Sequence, residues 1–193
     1  MPATVAEHQR RRVSVRAPLL LGVVALAVYG LDQGAKFLIT QNLKYDEVVP
    51  VLGQFLQLHY RANSGAAFSL ATGFTWILSI VAAGVVVFIL IFAPRIRSLG
   101  WSIMFGLLLG GAVGNLTDRL FRPPGFGIGH VVDFVQFSIF PAIFNVADSA
   151  IVCAMGVFII LTLRGVGLDG SRTPMVKTTA PPSAAPPSTA KKV

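Results

Sequence analysis

The chain has 193 residues, of which 54% are hydrophobic and 12% are charged. Soluble domains carry about 25% charged residues, so the composition excludes an ordinary soluble globular protein and indicates an integral membrane protein. The formal net charge of +8 does not indicate a nucleic-acid partner, because the basic residues cluster at the chain ends and between apolar runs, as membrane topology requires.

Four apolar stretches are long enough to cross a bilayer, which takes about 20 mostly apolar residues in a helix. The first follows a basic N-terminal segment, residues 1–17, that looks like the start of a secretory signal peptide. The apolar pattern continues well beyond the cleavage-like sequence at 25–27, so we predict a membrane span there. The predicted spans cover residues 18–40, 72–93, 98–118 and 141–163.

These spans predict an all-α integral membrane protein, a four-transmembrane-helix bundle over residues 18–164. The third span contains Gly110 and Gly114, whose G-x-x-x-G spacing predicts close helix packing. The single cysteine, Cys153, excludes a disulfide framework and a multi-cysteine metal site. Residues 165–193 are rich in Pro and Ala, and we predict a disordered cytoplasmic tail there.

The distribution of Lys and Arg predicts the orientation of the bundle. These residues are concentrated in the N-terminal segment, the link between the second and third spans and the tail, and they are sparse in the two long loops, 41–71 and 119–140. We therefore predict that both termini are cytoplasmic and that the long loops face outward. In the first loop, β-prone runs at 48–52 and 55–60 predict a small extracytoplasmic β-rich region. In the second loop, the Pro and Gly residues at 123–129 predict a flexible connection that could act as a lid.

The chain has only eight acidic residues, and an ionisable group at membrane depth is costly unless it is paired. Asp32 and Lys36 are four residues apart on one predicted helix, so we expect them to form an ion pair. Asp118 adjoins Arg119, and a second structural pair is expected there. Four acidic residues are expected to be solvated in loops or cytoplasmic segments: Glu7, Asp46, Glu47 and Asp169.

Two acidic residues, Asp133 and Asp148, have apolar neighbours and no adjacent basic residue, and both map to the outer side. If they meet, their carboxyl groups share a proton and titrate as a unit. Such a pair hydrolyses peptides when the ionised member activates water and the protonated member polarises the scissile carbonyl. Alternatively, each aspartate caps a helix or pairs with a loop arginine.

Other polar residues near the outer boundary allow two interpretations. Asn63, Asn115 and Asn145 either form hydrogen bonds between helices or hold substrate and orient carboxylates. His130 lies three residues before Asp133, and with His59 these side chains would make a metal site. Their spacing matches no established metal motif, so we do not predict a metal.

Four sequence blocks, in order, resemble those of lipoprotein signal peptidase, the type II signal peptidase family of bacteria. Each block is short, but their order on a four-span chain of this length is specific. The blocks are DQGAK at 32–36, NSGAAF at 63–68, GNLTDR at 114–119 with VDF at 132–134, and FNVADSA at 144–150.

The resemblance implies a four-span aspartic peptidase of the bacterial cytoplasmic membrane, with its active site at the outer face. Such enzymes cleave diacylglyceryl-modified prolipoproteins before the lipidated cysteine and need no cofactor or metal. It implies prolipoprotein and membrane lipid as partners, no nucleic acid and a monomer. The catalytic pair would be Asp133 and Asp148. The matched positions that bind substrate or support the site are Asn63, Gly65, Asn115, Asp118, Arg119, Asn145, Asp32 and Lys36.

Two other functional classes compete with a peptidase. A proton transporter that used Asp32, Lys36, Asp133 and Asp148 would spread polar residues through the depth of the bundle. The sequence instead gathers them near the outer boundary. A tetraspan scaffold without enzymatic activity would have no need of two unpaired acids.

Overall fold

The structure is a computed structural model that describes residues 15–65 and 75–172. In these ranges the helices are α1 (Arg16–Asn42), α2 (Thr75–Phe92), α3 (Leu99–Phe121) and α4 (Val146–Leu163). The strands are β1 (Val48–Leu52), β2 (Leu56–Asn63), β3 (Val131–Phe137) and β4 (Phe140–Phe144). All four helices are long and apolar enough to cross a membrane, as predicted. The expected start of the second span, residues 72–74, lies outside the described ranges.

Helix α3 is the centre of the bundle, because it packs against α1, α2 and α4. Its glycines allow this close approach. A Cβ atom on Gly110 would lie 2.7 Å from the carbonyl oxygen of Ala25 in α1, and one on Gly111 would lie 2.6 Å from that of Ala147 in α4. Real Cβ contacts are longer than this, so only glycine fits at these crossings. The close packing predicted from the glycine spacing is therefore present.

The four strands form one antiparallel sheet in the order β1-β2-β3-β4. The first hairpin is the predicted β-rich region of the first loop. The second hairpin was not predicted: residues 131–137, within the second long loop, form β3. β-Branched and aromatic residues dominate this run, and it pairs with β2, where Asn63 opposes Val131. The lid predicted for the Pro and Gly residues at 123–129 precedes this strand and stays a prediction.

Helix α4 begins at Val146, five residues later than predicted. Residues 140–144 instead form β4, in which Phe144 opposes Val135 of β3. Asn145 caps the helix: its side chain accepts a hydrogen bond from the Asp148 backbone, and the Asp148 side chain accepts one from the Asn145 backbone. This capping box fixes the start of the helix, which hydropathy alone does not locate.

The first part of the predicted disordered tail, residues 165–172, is also ordered. The backbone N–H groups of Arg97 and Ser98 both donate to the carbonyl oxygen of Leu168, at 2.9 and 3.0 Å. Trp101 Nε1 donates to the carbonyl oxygen of Val166 at 2.9 Å. The segment therefore folds back onto the link between α2 and α3. Residues 1–14 and 173–193, which include the rest of the predicted tail, lie outside the described ranges.

Candidate active site

Asp133 and Asp148 lie on either side of one side chain, that of Asn145. Asn145 Nδ2 donates to Asp133 Oδ1 at 2.6 Å, and Asn145 Oδ1 accepts from the Asp148 backbone at 2.9 Å. Strand β3 carries the first aspartate and the first turn of α4 carries the second. The two acids that the sequence left without partners are thus brought together, although Asp148 also takes part in the helix cap.

The environments of the two carboxyl groups differ. Asp133 is buried, with 2% of its surface exposed, whereas Asp148 is half-buried. Burial raises the pKa of Asp133 to about 7, and the nearby Asp148 carboxylate acts in the same direction. Hydrogen bonds from Asn63 and Asn145 oppose this rise in the pKa of Asp133. Two nearby carboxyl groups in different environments can act as the acid and the base of a hydrolysis.

All three candidate asparagines contact these carboxyl groups. Asn63, at the end of β2, donates from Nδ2 to Asp133 Oδ2 at 2.7 Å. Asn115, on α3, donates from Nδ2 to Asp148 Oδ1 at 2.8 Å. Asn145 Nδ2 also donates to Asn115 Oδ1 at 3.1 Å. Of the two interpretations left open by the sequence, this geometry favours the one in which the amides orient carboxylates.

Beneath the aspartates lies a fully buried cluster of charges. Lys36 Nζ is 2.8 Å from Asp32 Oδ2 and 2.9 Å from Asp118 Oδ2. The predicted pair of Asp32 and Lys36 is therefore present. The predicted pair of Asp118 and Arg119 is wrong: Asp118 Oδ1 instead accepts from Arg122 Nε at 2.6 Å. Adjacent helical residues point in different directions, whereas residues four apart share a face.

Arg119 is buried near the two aspartates, with 9% of its surface exposed. Its Nη1 atom has no hydrogen-bond partner among residues 15–65 and 75–172. Gly65 adjoins it with a φ of +96°, and a Cβ atom there would lie 3.4 Å from Arg119 Nη2. The Gly65 N–H donates to Asn63 Oδ1 at 2.7 Å. A buried cation with a spare donor therefore faces the site.

One of the two acids in the first loop, Asp46, is not simply solvated as expected. Its Oδ1 atom lies 2.7 Å from His59 Nε2 and 2.7 Å from Arg61 Nη1. The hydrogen bond with His59, ahead of the charge of Arg61, holds the pKa of Asp46 below its usual value. His59 therefore contacts Asp46 and, through Nδ1, Gln136 Oε1 at 2.8 Å. Within the described ranges no group of three His, Cys, Asp or Glu side chains is arranged to hold a metal.

Two site residues were missed from the sequence. Arg122 could have been found from its spacing of four residues after Asp118. Gln33 donates from Nε2 to Asp32 Oδ2 and to the carbonyl oxygen of Gly114, both at 3.1 Å. Gln33 lies within the DQGAK block at 32–36, which was the signal that could have found it, but a glutamine at the outer end of a span is also compatible with solvent.

Residues 24–164 match the family model described as signal peptidase (SPase) II. The chain belongs to the signal peptidase II family. It is 58% identical to a lipoprotein signal peptidase of Leifsonia xyli subsp. xyli over 171 residues, which is 89% of this chain and 79% of that relative. It is 45% identical to one of Rhodococcus jostii, over 89% of this chain and 82% of that relative.

Solved structures agree with the family assignment. The fold is similar to that of a bacterial membrane enzyme solved by the in meso method at 1.9 Å resolution, with a TM-score of 0.67. The two are 27% identical, and the match covers 78% of this chain and 95% of that one. A member of the signal peptidase II family is an aspartic protease of lipoprotein maturation. The family assignment thus favours the peptidase over the transporter and the scaffold.

Proposed function

We propose that this protein removes the signal peptides of diacylglyceryl-modified prolipoproteins by cleaving before the lipidated cysteine. Asp133 and Asp148 are its catalytic pair. The observation that carries the proposal is that Asn145 donates to both carboxyl groups, from its side chain to the buried Asp133 and from its backbone N–H to the half-buried Asp148. Family membership supports the substrate class, because the similar proteins are named lipoprotein signal peptidases.

The inequality of the carboxyl groups assigns the roles in this mechanism. Asp133, whose pKa is raised to about 7 by burial, holds a proton and donates it to the oxygen of the scissile carbonyl. Asp148, which is closer to solvent, takes a proton from water as the water oxygen attacks the carbonyl carbon. The carbon–nitrogen bond of the tetrahedral intermediate then breaks, and the proton on Asp148 passes to the leaving amine of the cysteine. The intermediate's hydroxyl proton returns to Asp133.

Other residues around the pair hold substrate or support the site. The Nη1 atom of Arg119, which has no hydrogen-bond partner among the described residues, supports a contact with the bound peptide. Asn63, Asn115 and Asn145 orient the carboxyl groups in this scheme. The buried charges of Asp32, Lys36 and Asp118 support the elements that carry the pair.

The proposed location is the outer face of the bacterial cytoplasmic membrane, with both termini in the cytoplasm. The sheet and the two aspartates lie at one end of the bundle, where α1 and α3 end and α4 begins. The sequence distribution of Lys and Arg, which favours the segments that flank the opposite end of the helices over the two long loops, supports this orientation. A monomeric peptidase domain of residues 18–164 suffices, and acyl chains of the substrate enter it laterally from membrane lipid.

A cleavage assay in membranes tests the proposed function. The substrates are a diacylglyceryl-modified prolipoprotein and its unlipidated twin, and the enzymes are the wild type, Asp133→Asn and Asp148→Asn. We expect cleavage of the lipidated form only, and its loss in both variants. Glu47→Gln is the matched control, because it makes the same carboxylate-to-amide change at an exposed loop position. An active Asp133→Asn or Asp148→Asn variant would remove that residue from the pair.

A further inference from the structure

The buried ammonium group of Lys36 contacts three oxygen atoms. Its two ion pairs, with Asp32 and Asp118, use two of its three donors. The third donor goes to Asn115 Oδ1 at 3.0 Å. A lysine ammonium has three donors and no acceptor, so these three contacts satisfy its hydrogen-bonding capacity fully. The third contact is unrelated to charge neutralisation and leads directly toward the catalytic pair.

This third contact fixes which way the amide of Asn115 points. Because an ammonium only donates, the oxygen of the amide must face Lys36. The nitrogen must then face the other side, where it donates to Asp148 Oδ1 at 2.8 Å. Asn145 Nδ2 also donates to Asn115 Oδ1, but the charged donor is the stronger of the two. Rotation of the amide by half a turn would place its oxygen against the Asp148 carboxylate.

The same charges also hold the backbone beside each catalytic residue. Asp32 Oδ1 accepts from the N–H of Ala147, which precedes Asp148, at 3.0 Å. Asp118 Oδ2 accepts from the N–H of Val132, which precedes Asp133, at 3.1 Å. Each carboxylate thus binds Lys36 and the residue before one member of the pair. The ammonium group of Lys36 therefore helps to set the distance between the start of α4, which carries Asp148, and strand β3, which carries Asp133.

We infer that Lys36 is a positioning residue for the reaction, because it sets the direction of the Asn115 amide and thereby holds the Asp148 carboxylate by a hydrogen-bond donor. This inference rests on the proposed function. It assigns Lys36 an action on the reacting group that goes beyond neutralising Asp32 and Asp118. Lys36 does not touch substrate and acts through Asn115.

Removing Lys36 alone would leave buried carboxylates short of a cation, which destabilises proteins strongly. The test therefore starts from Asp32→Asn, which removes one negative charge. Adding Lys36→Met to it removes the ammonium while Asp118 keeps Arg122 as its partner. The two proteins are assayed on the lipidated prolipoprotein for kcat and KM, and kcat is expressed per folded molecule, counted by size exclusion in detergent.

We expect the double variant to have a kcat about 10- to 100-fold below that of Asp32→Asn, with KM nearly unchanged. A structural role alone would change the amount of folded protein and leave kcat per folded molecule where it was. Equal kcat values in the two proteins would overturn the inference.

A double-mutant cycle of Lys36→Met and Asn115→Ala, made in the same Asp32→Asn background, tests whether Lys36 acts through Asn115. The Lys36→Met change should lower kcat when Asn115 is present and have little further effect when it is absent. Independent, multiplicative losses would contradict the inference. If the methionine variants yield no folded protein, Lys36→Leu, which also lacks a hydrogen-bond donor, takes their place with the same outcomes. A wild type that cleaves nothing would overturn the proposed function itself, which separates the two failures.

Discussion

At the scale of single residues, the most consequential property is the proton affinity of Asp133. Burial raises the pKa of this carboxyl group to about 7, so the group is protonated below that pH and ionised above it. In the proposed mechanism the protonated form is the acid. We therefore expect kcat to fall as pH rises through about 7. A kcat–pH profile on the lipidated substrate measures this, and an undiminished kcat at pH 9 would contradict it.

The same pKa predicts a pH dependence of stability. The folded protein binds the Asp133 proton more tightly than the unfolded chain does, because an aspartate carboxyl group in an unfolded chain has a pKa of about 4. Stability is therefore lost as pH rises from about 4 to about 7, by a few kcal/mol at most. We expect Tm in detergent to fall more steeply over this range in the wild type than in Asp133→Asn. Parallel Tm–pH curves for the two proteins would show that the burial of Asp133 does not lower stability as pH rises.

The sequence identified the two catalytic candidates because each lacked a basic neighbour, and this criterion depends only on local composition. It assigned the wrong partner to Asp118, because adjacency in sequence is not adjacency on a helix. The actual partners, Lys36 and Arg122, lie on α1 and one turn further along α3. The partner on α1 depends on helix packing, which a single sequence does not specify.

At the scale of elements, the glycines of α3 determine how closely the helices approach. We expect Gly110→Ala to lower the free energy of unfolding by about 1–3 kcal/mol, because its new methyl group would meet the Ala25 carbonyl and Val28. Gly84→Ala in α2 is the matched control, since a Cβ atom there meets nothing within 4 Å. Thermal unfolding in detergent compares them. Equal Tm values for the two variants would show that the contact with α1 is easily relieved.

Hydropathy located all four helices but not the point where α4 replaces β4. Residues 140–144 are apolar in either state, so the apolar run extends without interruption from the strand into the helix. The boundary is set by hydrogen bonds of Asn145 and Asp148 with each other's backbone. Strand β3 was missed for a related reason, since its partner β2 lies two helices earlier in the chain.

At the scale of the whole molecule, the segment 165–172 joins the end of α4 to the link between α2 and α3 and the start of α3. We expect a chain that ends after Arg164 to have a lower Tm than one that ends after Arg172, because only the longer one keeps the hydrogen bonds to Arg97, Ser98 and Trp101. Thermal unfolding of both truncations in detergent checks this. A shared Tm would mean that the segment contributes nothing to stability.

The chain order of the site has a consequence for biogenesis. Asn63 follows the first helix, Asp133 follows the third, and Asp148 belongs to the last. A nascent chain with one, two or three helices inserted therefore lacks Asp148. In the proposed mechanism, peptide hydrolysis begins only when the final helix enters the bundle, so the activity is the last property that the chain acquires as it is made.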